Sequence, residues 1–291
     1  MSLRTLILLA LLPAAQDPPP ERIEPDVKDE KYGPHERNVL DLWKAKADSP
    51  TPLVVFIHGG GFLVGHKEYV KPDLIRRCRE NGISVAAINY RYSSQAPFPA
   101  PFHDSARAIQ YLRSRAKEWN LDPARFGATG GSAGGGMSLW LGFHDDLADP
   151  RSDDPVLRQS TRLQAVVAVA AQASYDPRWI RDHIGGRAHE HGAIAKLYGL
   201  PPDEADSDHA HRLYEEAAPI HHLSRDDPPV YLTYEGPDPP GNRAGVGIHS
   251  PKFGEILKGE MDKLGIPCEL KVGPDTTESF VSFFVRHLKK N

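Results

Sequence analysis

Within a few residues of Gly130 the chain must pass from strand to helix, and it does so at a serine flanked by glycine. Arg125 to Gly130 reads as a short strand and Ser132 to Phe143 as a helix opening on small residues. The turn between them is Gly130-Gly131-Ser132-Ala133-Gly134, a G-x-S-x-G. Such a turn brings strand and helix backbones close together, so bulky flanking side chains are excluded and the serine hydroxyl stands clear of the sheet. Other strands are expected at 52–57, 84–91, 164–171, 229–234 and 268–272. Helices are expected at 68–81, 101–118, 251–264 and from about Thr277 to Lys289. Apolar strands alternating with helices specify a mostly parallel sheet covered on both faces.

A second glycine motif, His58-Gly59-Gly60-Gly61, ends the apolar run from Pro52 to Ile57. Glycines there let backbone N–H groups approach one substrate oxygen closely. The N–H groups of Gly60, Gly61 and Ala133 are the candidate donors of an oxyanion hole, in which one donor typically contributes roughly 3 kcal/mol of transition-state stabilisation. The helix opening at Ser132 adds the positive end of its dipole.

With these motifs, the chain from about Tyr32 onward resembles the α/β-hydrolases of the HGGG-bearing esterase/lipase group. It is close to the bacterial feruloyl-esterase-like and hormone-sensitive-lipase-like families. The likeness extends to Asn89-Tyr90-Arg91-Tyr92, Phe98-Pro99-Ala100-Pro101 before His103-Asp104, Asp122-Pro123-Ala124-Arg125, and Pro228-Pro229-Val230-Tyr231-Leu232. It implies an α/β-hydrolase fold with a small lid insertion, here 172–227. It also implies a serine, acid and histidine in that chain order, with Ser132 as nucleophile and no cofactor. Asp238, in the loop Glu235-Gly236-Pro237-Asp238, falls where the family places its acid, which would orient a histidine. Glu235 is the weaker candidate, and the competing reading of Asp238 is a turn residue among prolines.

The histidine of that pattern belongs between the last strand and the last helix, where this chain reads Gly273-Pro274-Asp275-Thr276. His287 does not replace it. At 1.5 Å per residue it lies roughly 15 Å along the final helix, and with Phe280, Phe283 and Phe284 it has the spacing of a packed face. His103, beside Asp104 at a helix start, reads as structural. His249, in Gly247-Ile248-His249-Ser250-Pro251, is the candidate base, against a reading as helix-entry packing. Two functions therefore stand open. One is hydrolysis of carboxylic esters through an acyl-enzyme on Ser132. The other is a degenerate hydrolase that binds a ligand or partner without turnover.

At 291 residues and 40% hydrophobic composition the chain supports one large domain, 32–291. A net charge of −4 and the lack of a basic run give no reason to expect nucleic acid. Residues 1–15 have the form of a secretory signal, with Arg4, the apolar Leu6 to Leu12 and Pro13-Ala14-Ala15. Residues 16–31 read as a Pro-rich disordered lead. The apolar run is too short to span a bilayer, and no cysteine follows it to carry a lipid anchor. Export, to the periplasm or beyond, is the expectation. Cys78 and Cys268 should be free and buried, because helix and edge strand place them beyond disulfide reach. The insertion holds seven histidines (His183, His189, His191, His209, His211, His221 and His222) without a recognisable ligand spacing, so no metal is expected. Tyr175 and Trp179 are either lid residues at the site or anchors of the lid.

Overall fold

A computed structural model describes residues 22–237 and 243–289. The expected signal segment 1–15 and the acid Asp238 lie outside the described residues. The strands are β1 (Val27–Lys31), β2 (Val39–Trp43), β3 (Thr51–Ile57), β4 (Ser84–Ile88), β5 (Leu121–Gly131), β6 (Ala165–Val169), β7 (Val230–Tyr234) and β8 (Cys268–Val272). They form one sheet in the order β1-β2-β4-β3-β5-β6-β7-β8. The pairs β1/β2 and β2/β4 are antiparallel and all others parallel. Strand β4 is buried at every position and β3 at all but one, as a parallel sheet covered on both faces requires.

The helices are α1 (Pro72–Glu80), α2 (Ala100–Ser114), α3 (Ala116–Trp119), α4 (Ala133–Phe143), α5 (Pro177–His183), α6 (Gly192–Tyr198), α7 (Asp208–Ala217), α8 (Lys252–Leu264) and α9 (Thr277–Leu288). On one face of the sheet, Cys78 of α1 and Phe283 and Phe284 of α9 pack with Val54, Val85 and Val167. On the other, Phe102 of α2, Trp140 of α4 and Phe253 of α8 join the larger core. Every residue of α4 is buried, so the helix that begins beside Ser132 runs through the interior.

The lead assigned to 16–31 is corrected at its C-terminal end, because Val27–Lys31 is strand β1 and not disordered. Its sequence, VKDEK, has no alternation of apolar and polar residues and leaves most side chains at the surface. Backbone pairing with β2 holds it, Val27 opposite Leu42 and Lys31 opposite Val39. Strand β2, Val39–Trp43, is likewise an element beyond the expected strands. Cys78 and Cys268 are both free and buried, and burial pushes each thiol up to about 12. No helix among the described residues is long and apolar enough to cross a membrane.

Candidate active site

Ser132 is the N-cap of α4 with φ 52° and ψ −124°, backbone angles that an L-residue adopts only under constraint. The Ser132 N–H donates to Val169 O at 2.8 Å, and Gly136 N–H donates to Ser132 O at 2.9 Å. The small residues around the serine have a steric cause. A Cβ on Gly134 would stand 2.0 Å from Ile57 O, and one on Gly130 2.3 Å from the same oxygen. Strand β3 and the start of α4 are thus in backbone contact, and only glycine permits it.

That contact delivers the His58–Gly61 loop to the serine, since the loop leaves β3 at Ile57. Gly60 and Gly61 take φ of 107° and 59°, in the left-handed region that favours glycine. A Cβ on Gly59 would meet Ser132 Cβ at 3.6 Å. Among the described residues the Gly60 and Gly61 N–H groups donate to no other backbone group, and Ala133, as the first helical residue, has no partner within its helix. The loop is clamped from behind. The His58 ring stacks on Tyr90 with centroids 4.2 Å apart, and its Nδ1 lies 2.8 Å from Gly59 O. Arg37 donates to Tyr90 O and Gly65 O, lies 3.2 Å from His58 Nε2 and stacks over Tyr92. With Nδ1 carrying the hydrogen, Nε2 accepts from the guanidinium. Burial holds the His58 imidazole down to about 4, so it is a neutral structural ring.

His249 comes to the serine from the connection between β7 and α8. Ser132 Oγ and His249 Nε2 are 2.8 Å apart. Gln172 donates to Ile248 O at 2.7 Å, and Gly245 N–H donates to Arg187 O at 2.9 Å, so the insertion braces this loop at two points. Partial burial lowers the His249 imidazole below its ordinary value, His191 adds to the lowering, and the carboxylate of Glu235 opposes it. Glu235 belongs to the same connection. It lines, with Ser132, Val169, Pro237, Val246 and His249, a cavity of about 500 Å³. The 273–276 loop turns to another use, Asp275 accepting from Tyr231 OH at 2.8 Å. His287 packs on Phe283 with ring centroids 4.5 Å apart, as its spacing implied. His103 is exposed at the start of α2, and its neighbour Asp104 is buried, taking two bonds from the Arg91 guanidinium.

A sequence model of the BD-FAE family matches residues 40–240, more than half of the chain. The chain belongs to the BD-FAE family. This family member is 29% identical over 210 residues to a Mycobacterium tuberculosis protein named "Probable carboxylic ester hydrolase LipM", an overlap of 71% of this chain and 46% of the relative. It is 27% identical over 231 residues to "Esterase LipQ" of the same organism, 76% of this chain and 51% of the relative. The chain thus spans about half the length of these curated relatives. Among solved structures, a truncated carbohydrate esterase from gut microbiota superposes with a TM-score of 0.74 at 22% identity, covering 91% of this chain and 96% of that one. An acetyl ester-xyloside bifunctional hydrolase from Caldicellulosiruptor lactoaceticus gives 0.68 at 24% identity, covering 85% and 87%. The fold is that of an α/β-hydrolase.

The insertion supports the site from above. Ala193 of α6 lies against the glycine loop, where a Cβ on Gly61 would come within 2.9 Å of its methyl. Tyr175 is an anchor. It is 2% exposed, packs edge-on to Phe62 and Phe102, and its OH donates to Ala133 O at 3.4 Å. Trp179 stacks on His183 and packs against Phe253, with ring centroids 4.5 and 6.0 Å away, and is an anchor as well. Sequence reasoning missed the Arg37 clamp, and a positive charge far from any motif offered no signal for it.

Proposed function

We propose that this chain is an exported serine hydrolase that cleaves small carboxylic esters through an acyl-enzyme on Ser132. The observation that carries the proposal is the 2.8 Å contact between Ser132 Oγ and His249 Nε2. His249 takes the serine proton as Oγ attacks the ester carbonyl carbon. The N–H groups of Gly60, Gly61 and Ala133 receive the developing oxyanion. The imidazolium then returns its proton to the departing alcohol, and a water deprotonated by His249 releases the acid. Asp238 is assigned to orient the imidazole through Nδ1, and Glu235 adds negative charge beside it. No metal or organic cofactor is assigned a step. The relatives' names, carboxylic ester hydrolase and esterase, support the reaction class. Export rests on the segment 1–15, and neither nucleic acid nor a stable membrane anchor is assigned as a partner.

The degenerate-hydrolase alternative had its ground in the missing histidine at 273–276, and the position of His249 favours turnover instead. The test is the initial rate on a short-chain p-nitrophenyl ester for the full chain beside Ser132→Ala and His249→Ala. A saturable rate abolished by Ser132→Ala, and lowered on the order of a thousandfold or more by His249→Ala, is expected. Equal rates in the chain and its Ser132→Ala variant overturn the proposal.

A further inference from the structure

At the far end of α4 from Ser132, His144, Glu216 and His222 converge. Their candidate ligand atoms all lie within 4.8 Å of one another. His144 caps the C-terminus of α4, Glu216 belongs to α7 and His222 to the short 3-10 turn Pro219–His222, so the cluster joins the nucleophile helix to the insertion. Eleven residues of helix at 1.5 Å each put it roughly 17 Å from the serine, outside the ester site.

The hydrogen bonding at each ring is informative. His144 Nδ1 is 2.8 Å from Asp145 O, and its Nε2 is 3.0 Å from Glu216 Oε1. Both ring nitrogens thus face an acceptor oxygen. A neutral imidazole has one N–H to offer, so the second nitrogen requires either a proton or a cation between it and the carboxylate. The second ring is held the same way. His222 Nε2 is 2.8 Å from Glu216 O, so its N–H donates there and Nδ1 keeps its lone pair. Each imidazole therefore donates one N–H to a backbone carbonyl, the outer arrangement that fixes the tautomer of a metal-bound histidine. The rings are also locked by packing, with the His144 and His222 centroids 4.5 Å apart and Trp140 4.2 Å from His144. Trp140 is fully buried, and its indole N–H donates to Glu216 O at 2.8 Å.

We propose that His144 Nε2, His222 Nδ1 and a Glu216 carboxylate oxygen bind one divalent transition-metal ion, zinc in the first instance, with water completing the shell. Two imidazoles and a carboxylate suit borderline metals such as zinc rather than calcium or magnesium. Donor atoms in a tetrahedral zinc site are about 3.4 Å apart, and the three groups, with ligand atoms within 4.8 Å of one another, reach that spacing by side-chain rotation. The bound ion pins the C-terminal end of α4 to α7 and the 3-10 turn, holding the insertion over the site.

The test is calorimetric titration of zinc chloride into the chelator-treated full chain, with cobalt(II) absorption as a second readout. One ion per chain is expected, with visible cobalt bands of a four-coordinate site and a raised Tm. Glu216→Gln should weaken binding by roughly tenfold or more, and His144→Ala should abolish it. His209→Ala, elsewhere in the insertion, should leave the isotherm unchanged. If His144→Ala fails to fold, Glu216→Gln carries the test, because its side chain is about half exposed. Absence of a one-to-one isotherm, meaning an imidazolium–carboxylate pair only, overturns the proposal. So does an isotherm that Glu216→Gln does not alter.

Discussion

Lowering the pH should destabilise this fold through one buried ring in particular. His58 is wholly buried, and its imidazole titrates at about 4 in the folded chain against 6.5 ordinarily. Burial is the main cause, the Gly59 carbonyl opposes it and the Arg37 charge adds to it. Between those two values the unfolded chain binds a proton that the native chain refuses, so stability is complete above 6.5 and drains away as pH falls towards 4. Linkage puts the loss from this one group at about 2 kcal/mol between pH 7.5 and pH 5, and at about 3 kcal/mol by pH 4. The perturbation is His58→Gln, whose side chain can still accept from Arg37 but cannot be protonated. Urea unfolding of both proteins at pH 7.5 and pH 5 measures it. The variant starts less stable, having lost the stack on Tyr90, but wild type should lose about 2 kcal/mol more than the variant across that interval. Other histidines titrate in both proteins and cancel in the difference. Parallel losses, agreeing within about 0.5 kcal/mol, would refute the assignment of His58 as a neutral structural ring.

In the proposed ester hydrolysis the His249 imidazole should stay in its basic form below the ordinary imidazole value, because partial burial and His191 lower it. In a pH profile of kcat/KM the acid limb should therefore fall below 6.5, and Glu235→Gln, which removes the opposing carboxylate, should move it lower still; a limb shifted upward refutes Glu235 as a neighbour of the base. Lys67, 1% exposed, lies 2.6 Å from the buried Asp41 and anchors the exit of the glycine loop to β2. Lys67→Met leaves that carboxylate buried without its cation, with the Asp29 N–H still donating to it, and thermal or urea unfolding should show a loss of about 3–5 kcal/mol, part of which the double variant with Asp41→Leu restores.

How much was legible follows from how far each signal reaches along the chain. The turn at Ser132 and the glycine loop are local, each a strand end followed by residues without side-chain bulk, so both sites and the parallel strands around them could be read directly. The same locality explains the expected helix face at Phe280, Phe283 and Phe284. Strand β1 was illegible because four of its five residues are charged and its order comes from pairing with β2. The Arg37 clamp and the His144–Glu216–His222 cluster have no spacing to betray them, for their members come from separate elements.

The sequence by itself determined that a serine would stand on a strand-to-helix turn and that a glycine-rich loop would end the neighbouring strand. It could name His249 only as one candidate, since 117 residues separate it from Ser132 and no periodicity links them. Tertiary structure decided that pairing. The β7–α8 connection is carried to the serine by the parallel pairing of β5, β6 and β7, and it is fixed there by the Gln172 amide donating to Ile248 O and by the Arg187 carbonyl accepting from Gly245 N–H. Neither the pairing nor the brace is encoded within reach of the histidine's own neighbours, so only the folded chain brings the imidazole to the hydroxyl.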